Sequence, residues 1–278
     1  MIKILTDSSC VIPMAEAEAL GIEMIPLGIT FGSEAYKDGV DITTEQFYAK
    51  LLEGKNYPHT SQPSPQELEE HFAKAKAEGV TLLFLPLSSK ISGTYESALR
   101  VKEMGGFDNV YVYDTLCTTI MLELLVREAA KRTHLSIEEL INYVDNLRKR
   151  AKLYAGIDTL EYLAKGGRLN TATAAIGSLL KVKPLITISS QGTIDVIGKK
   201  IGAKMGIRAV AEMLDLSKVD PEYGVRFLYS YSDENSKDLI GKIGLKEDEI
   251  IELTDLGPIV GAHIGPNAYG YVYVEKED

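Results

Sequence analysis

Two short, unbroken apolar runs constrain this chain most: residues 81–87 (TLLFLPL) and residues 110–114 (VYVYD). Runs of that length without polar alternation read as strands buried on both faces, the signature of a parallel sheet covered by helices on each side. The opening residues 2–6 form another such strand. Residues 22–30 (IEMIPLGIT) form a further one, with Pro26 marking an edge or a break. Between the strands lie helices with legible starts. Ser64, Pro65 and Glu67 combine an N-cap, a proline in the first turn and a capping-box glutamate, ahead of a helix that stops near Gly79. Thr43 with Gln46 opens a helix to about Leu52, Tyr95 to Met104 form another, and Ser136 with Glu139 opens one to about Arg150. Strand–helix alternation with short joints predicts an α/β domain.

Beyond about residue 153 the texture changes. A strand at 153–157 is followed by a short helix capped by Asp158 and ended by Gly166 and Gly167. Residues 185–189 and 193–198 flank Ser190, Gln191 and Gly192 as an antiparallel hairpin. A helix at 203–214 and strands at 225–231, 250–254 and 269–274 complete an α+β pattern with a mixed or antiparallel sheet. The expected division is therefore 1–152, an α/β domain, and 153–278, an α+β domain. A length of 278 residues suits two domains.

Charge and composition exclude several classes. Thirty Lys and Arg against forty Asp and Glu leave a net charge of −10, which disfavours a grip on nucleic acid or stable anchoring to anionic membranes. No apolar run reaches the roughly 18 residues of a membrane span, and no secretory signal is visible, so a cytoplasmic location is expected. Cys10 and Cys117 build neither a disulfide framework nor, with the four histidines, a metal-site spacing. Neither a phosphate-binding GxxxxGK[ST] loop, a GxSxG elbow nor an HExxH helix occurs.

Four polar clusters remain. Thr6–Ser9 follows the opening strand, Thr60, Ser61, Gln62 and Ser64 precede the best-capped helix, and Ser88, Ser89, Ser92, Gly93 and Thr94 follow the TLLFLPL strand. Open α/β sheets bind ligands outside the carboxyl ends of their strands, where these loops gather. Ser92, Gly93 and Thr94 at a helix start form an anion seat, since free backbone N–H groups and the helix dipole favour negative charge there. Capping by Ser92 and ligand contact by Ser92 can coexist. The fourth cluster surrounds His263 with glycines and apolar residues (LGPIVGAHIGP, 256–266), either as a satisfied core histidine or as a site group. Arg168, after Gly166 and Gly167, is either a solvated residue at a helix stop or a carboxylate ligand. A stand-alone serine hydrolase or acyltransferase using Ser92 and His263, with Asp7 as orienter, is one chemistry these residues allow.

In this order the clusters resemble the DegV family of fatty-acid-binding proteins. The matching pieces are TDSS (6–9), YKDGVDIT (36–43), TSQPSP (60–65), ISGTYESA (91–98), LEYLAKGGRL (160–169), LLKVKPLI (179–186) and LGPIVGAHIGP (256–266). Two positions depart from the family pattern: Val11, where an Asp is frequent, and Asn267, where Gly is usual. The resemblance implies a two-domain α/β protein with one long-chain fatty acid held between the domains. It implies that Thr60, Ser61, Ser92 and Gly93 bind the carboxylate through hydroxyl and backbone donors. His263 would lie at the head-group end, and Arg168 would be tied to function. It further implies a carrier rather than an enzyme, without cofactor or metal, that presents the carboxylate to a separate ATP-binding fatty acid kinase subunit. Ala172, Ala174, Ala175 and Gly177 beside Leu179 and Leu180 either leave room for the alkyl chain or pack a core helix.

Overall fold

A computed structural model describes residues 1–169, 182–246 and 251–277. The chain begins β1 (Ile2–Asp7), α1 (Met14–Ala19), β2 (Ile22–Ile25), β3 (Gly28–Phe31) and β4 (Glu34–Lys37). There follow α2 (Thr44–Glu53), β5 (Pro58–Ser61), α3 (Pro65–Ala77), β6 (Thr81–Leu85), α4 (Thr94–Gly105) and β7 (Val110–Val112). Next come α5 (Thr119–Ala130), α6 (Ile137–Arg150), β8 (Ala151–Gly156), α7 (Glu161–Lys165), β9 (Val182–Ile188) and β10 (Ile194–Ile201). The chain ends with α8 (Ala203–Ala211), β11 (Val225–Tyr229), α9 (Glu234–Ile243), β12 (Glu252–Asp255), α10 (Gly257–Ile264) and β13 (Tyr269–Val274).

The chain divides into two compact units, residues 1–43 with 60–149, and residues 44–59 with 150–278. This corrects the expected single cut after residue 152. The cut falls three residues earlier, and α2 belongs with the second unit. The cause is packing: Phe47 and Tyr48 on the buried face of α2 lie against Gly261 of α10. No composition change marks that excursion in the sequence.

In the first unit, β2-β1-β6-β7 form a sheet in which every neighbouring pair is parallel, as the unbroken apolar runs required. Phe84 of β6 meets Phe72 of α3 edge-on with ring centroids 6.4 Å apart, and Phe72 meets Phe107 at 5.8 Å. Burying each such ring contributes about 1.5–3 kcal/mol. Pro26 separates β2 from β3, which pairs with β4 and lies in a second, three-stranded sheet ordered β4-β3-β5. Helix α5, not expected from the sequence, packs on β1 and is buried along most of its length. Its charged residues are themselves covered or paired, Glu123 with Arg127 at 2.7 Å and Glu128 with Lys131 at 2.6 Å, so the helix lacks the exposed polar face by which an amphipathic helix is read.

The second unit holds a mixed six-stranded sheet, β10-β9-β8-β13-β11-β12, in which only β11 and β12 are parallel among the described pairs. The hairpin of β9 and β10 forms as expected. Leu185, Ile207, Val210, Phe227, Leu239 and Tyr271 make its core, where the Tyr271 hydroxyl donates to Val210 O at 3.0 Å. One local expectation needs correction, and one helix goes unread in the sequence. Asp158 does not cap α7. It pairs with Lys183 at 2.6 Å and accepts from Asn267 Nδ2 at 2.9 Å, while Thr159 Oγ1 accepts from Glu161 N. The segment around His263 is a helix, α10, despite its glycines. Pro258 sits in its first turn, and Asp255 Oδ1 accepts from Gly257 N at 3.1 Å.

Candidate ligand-binding site

In the first unit two loops meet. Ser64 caps α3 as the sequence predicts: its Oγ accepts from Glu67 N at 3.2 Å, and its own amide donates to Glu67 Oε2 at 2.9 Å. Lys37 of β4 reaches Glu67 Oε1 at 2.6 Å, so the end of the 60–64 loop is tied to the β3–β4 hairpin. Burial opposes the Glu67 charge, but hydrogen bonds from Lys37 and Ser64 outweigh it and hold this carboxyl below its ordinary value.

Gly93 is the N-cap of α4, without a side-chain cap bond. Ser92 Oγ shares a hydrogen bond with Thr94 Oγ1 at 2.9 Å and accepts from Thr94 N at 3.3 Å, so the hydroxyl serves the helix start from outside it. Gln62 Oε1 lies where a methyl group on Gly93 would stand. That contact brings the TSQPS and SGT loops together and gives Gly93 its reason: only a residue without Cβ admits the Gln62 carboxamide there. Thr60 and Ser92 are half-buried, whereas Ser61 and Gly93 are exposed. Sequence reasoning misses Gln62 as a contributor in its own right, although it lies inside the motif.

Beneath these loops the end of β1 is a buried acidic brace. Asp7 Oδ1 accepts from Ser9 N at 3.1 Å and Ser9 Oγ at 2.5 Å, and its Oδ2 accepts from Leu87 N at 2.8 Å. With both oxygens engaged this way, Asp7 fastens the ends of β1 and β6 and does not orient a histidine. Ser8 Oγ accepts from Leu27 N at 3.1 Å and donates to Asp38. Burial pushes the Asp7 and Asp38 carboxyls both up to about 6, and for Asp38 the Asp7 charge adds to the rise.

His263 and Arg168 belong to the second unit, and the structure brings these two together. The imidazole Nδ1 lies over the Cα of Gly166, and Arg168 Nη1 turns back to donate to Gly166 O at 2.5 Å. Burial, and then the nearby Arg168 charge, lower His263 to about 4. At neutral pH it is therefore an uncharged donor or acceptor, not an imidazolium. Such a weak base suits poorly the proton abstraction that the serine-hydrolase alternative needs. Tyr57, also missed by sequence reasoning, donates its hydroxyl to Tyr162 O at 2.8 Å, with Ala262 O at 3.2 Å.

Cys10 and Cys117 are buried free thiols, with burial raising both, Cys117 to about 12 and Cys10 further. Among the described residues no group of three or more His, Cys, Asp or Glu could hold a metal ion, and no helix is long and apolar enough to cross a membrane. The small residues Ala172, Ala174, Ala175 and Gly177, with Leu179 and Leu180, lie outside the described residues.

The DegV family model, described as "Uncharacterised protein, DegV family", matches residues 1–276. A DegV domain-containing protein of Caldanaerobacter subterraneus subsp. tengcongensis is 34% identical over 280 residues, covering 99% of each chain. Among solved structures, DegV of Bacillus subtilis, a fatty acid binding protein, is 29% identical with a TM-score of 0.85 and covers 99% of each chain. A stearic acid-binding protein of Eubacterium ventriosum is 26% identical with a TM-score of 0.86, again over 99% of each chain. A fatty acid binding DegV family protein of Streptococcus agalactiae is 26% identical with a TM-score of 0.89, covering 100% of this chain and 99% of its own.

Proposed function

This chain belongs to the DegV family, and from that premise we propose that it binds one long-chain fatty acid non-covalently and presents the carboxylate to a separate ATP-dependent kinase subunit. The observation that carries the reading is the joined pair of loops at the starts of α3 and α4. Gln62 of the 60–64 loop lies against Gly93 at the N-terminus of α4, where Ser92 Oγ accepts from Thr94 N. Ser61 Oγ lies over Gly28 of β3, so hydroxyl-bearing residues flank a helix start that favours an anion. The fatty-acid binding of its structural neighbours supplies the ligand class.

Magnitudes divide the labour. At roughly 0.8 kcal/mol per buried CH₂, an alkyl tail of about fifteen methylenes has a gross transfer term on the order of 10 kcal/mol. Hydrogen bonds to a charged acid contribute about 1.5–3 kcal/mol each, much of it replacing lost water. The tail therefore supplies affinity, and Thr60, Ser61, Ser92 and Gly93 select the acid terminus. His263, uncharged at neutral pH, adds an N–H donor to the acid. Arg168 offsets the negative charge that accumulates when a carboxylate approaches a terminal phosphate. Nucleotide binding and catalysis fall to the partner, and the chain itself performs no reaction.

Mass spectrometry of an organic extract of the purified protein tests the binding. Near-stoichiometric fatty acid is the expected result. Failure of the delipidated protein to take up radiolabelled stearate would overturn it. Acyl phosphate formation with a supplied kinase subunit and ATP tests the presenting role.

A further inference from the structure

The hydroxyl of Tyr57 touches two carbonyls, and each leads to the same imidazole. Tyr162 O accepts from Tyr57 Oη at 2.8 Å and also from Gly166 N at 2.9 Å. Gly166 is the residue whose Cα carries the His263 ring. The second acceptor, Ala262 O at 3.2 Å, lies on α10 one residue before His263. A phenol has one proton, so this is a three-centre bond led by Tyr162. It joins the last turn of α7 to α10 through one side chain.

The ring is held as firmly as the hydroxyl. Tyr162 stacks on it with centroids 6.0 Å apart and planes 26° from parallel, and Lys165 Nζ stands 5.2 Å from its centroid. His59 meets it edge-on at 6.0 Å. Burial, with the neighbouring Tyr162 and Glu161, pushes the Tyr57 phenol up to about 12, so it keeps its proton and remains a donor across the physiological range.

We infer that Tyr57 is a positioning residue for His263: its hydroxyl fixes Gly166 and the α10 backbone together, and so sets where the imidazole stands. This rests on the proposed role of His263 for its functional meaning, but not for its geometry. It also gives a reason for a tyrosine three residues before Thr60, which the hydroxyl loop alone does not supply.

The test is Tyr57→Phe, which keeps the ring and its stacking and removes only the donor. Ring resonances of the four histidines are followed by NMR against pH in the ligand-free protein, with His263 assigned by its loss in His263→Gln. In the parent protein the His263 midpoint lies well below the ordinary imidazole value. In Tyr57→Phe it rises by about one pH unit, because a loosened ring gains water. Thermal unfolding is followed alongside, and a melting point kept within a few degrees excludes general unfolding as the cause. Stearate affinity falls about tenfold with it. An unchanged His263 midpoint overturns the inference whatever happens to binding. A shifted midpoint with unchanged stearate affinity supports the positioning of His263 and counts instead against its proposed contact with the acid.

Discussion

His263 and Gly166 are in van der Waals contact, imidazole on Cα, although ninety-seven residues separate them in the chain (263 less 166). The first glycine of the KGGR segment is therefore explained by a ring on another helix, besides its place at the end of α7. Replacing Gly166 with Ala puts a methyl group where Nδ1 now lies, with the backbone carbonyl of Tyr162 close on another side. Overpacking of this kind costs about 1–3 kcal/mol. Gly166→Ala is expected to lower the melting temperature and weaken fatty-acid retention together. An affinity equal to that of the parent would show that the imidazole position is unimportant.

The hydroxyls of the two loops admit a sharper separation. Thr60→Ala with Ser92→Ala removes donors from the loops but leaves Gly93 and the start of α4 in place. Binding of a fatty acid is expected to fall by about 2–4 kcal/mol, while binding of the corresponding long-chain alcohol changes little. Competition calorimetry with both ligands reads the ratio. Equal losses for acid and alcohol would mean that the loops do not choose the head group.

Asp7 and Asp38 make stability depend on pH in an unusual direction. Burial first, and for Asp38 also the Asp7 charge, raise both carboxyls from 3.8 to about 6. A folded chain that holds its protons longer than the unfolded one is most stable below pH 4 as far as these groups are concerned, and loses that advantage as pH rises to about 6. Asp38→Asn abolishes the cost of the second buried charge. It is expected to raise stability at pH 7 by roughly 1–3 kcal/mol and to have less effect at pH 4. Urea unfolding at the two pH values measures this. A destabilised Asp38→Asn at pH 7 would contradict the sign.

Val11 and Asn267, the two departures from the family pattern, share a backbone feature. Their φ angles are 58° and 63°, both in the left-handed region. Asn accepts that conformation readily, whereas a β-branched residue is strained there by roughly 1–2 kcal/mol. Val11→Asn should therefore stabilise the protein by about 1 kcal/mol, visible as a higher melting temperature in calorimetry. No change would mean that the packing of the Val11 side chain offsets the strain.

Much of this architecture could be read from local pattern. The β6 and β7 runs announced a parallel sheet, the Ser64 and Ser136 boxes marked helix starts, and the β9–β10 hairpin declared its turn. Each signal lies within a few consecutive residues. The hydroxyl loops were legible for a related reason, since they fall where strands end and helices begin. What escaped was set by distant partners. α5 shows little exposed polar face because it is wrapped on most sides and its charges are paired, α10 tolerates glycines because Phe47 and Tyr48 lean on one of them, and Asp158 serves Lys183 and Asn267 instead of a helix. Tyr57 gave no local sign of its task, because the carbonyls it binds lie in α7 and α10.

The interrupted course of the backbone also bears on biosynthesis. Phe47 and Tyr48 leave the ribosome more than two hundred residues ahead of Gly261, the difference between positions 48 and 261. At about 5–20 residues per second, α2 must wait on the order of ten seconds or longer for the helix that covers it. During that interval its aromatic face is open to chaperones, and the nascent N-terminal half carries a sticky segment it has no means to bury. Nor does any contiguous fragment hold the second unit alone and complete, so a polypeptide starting at Arg150 lacks one of its helices from the outset.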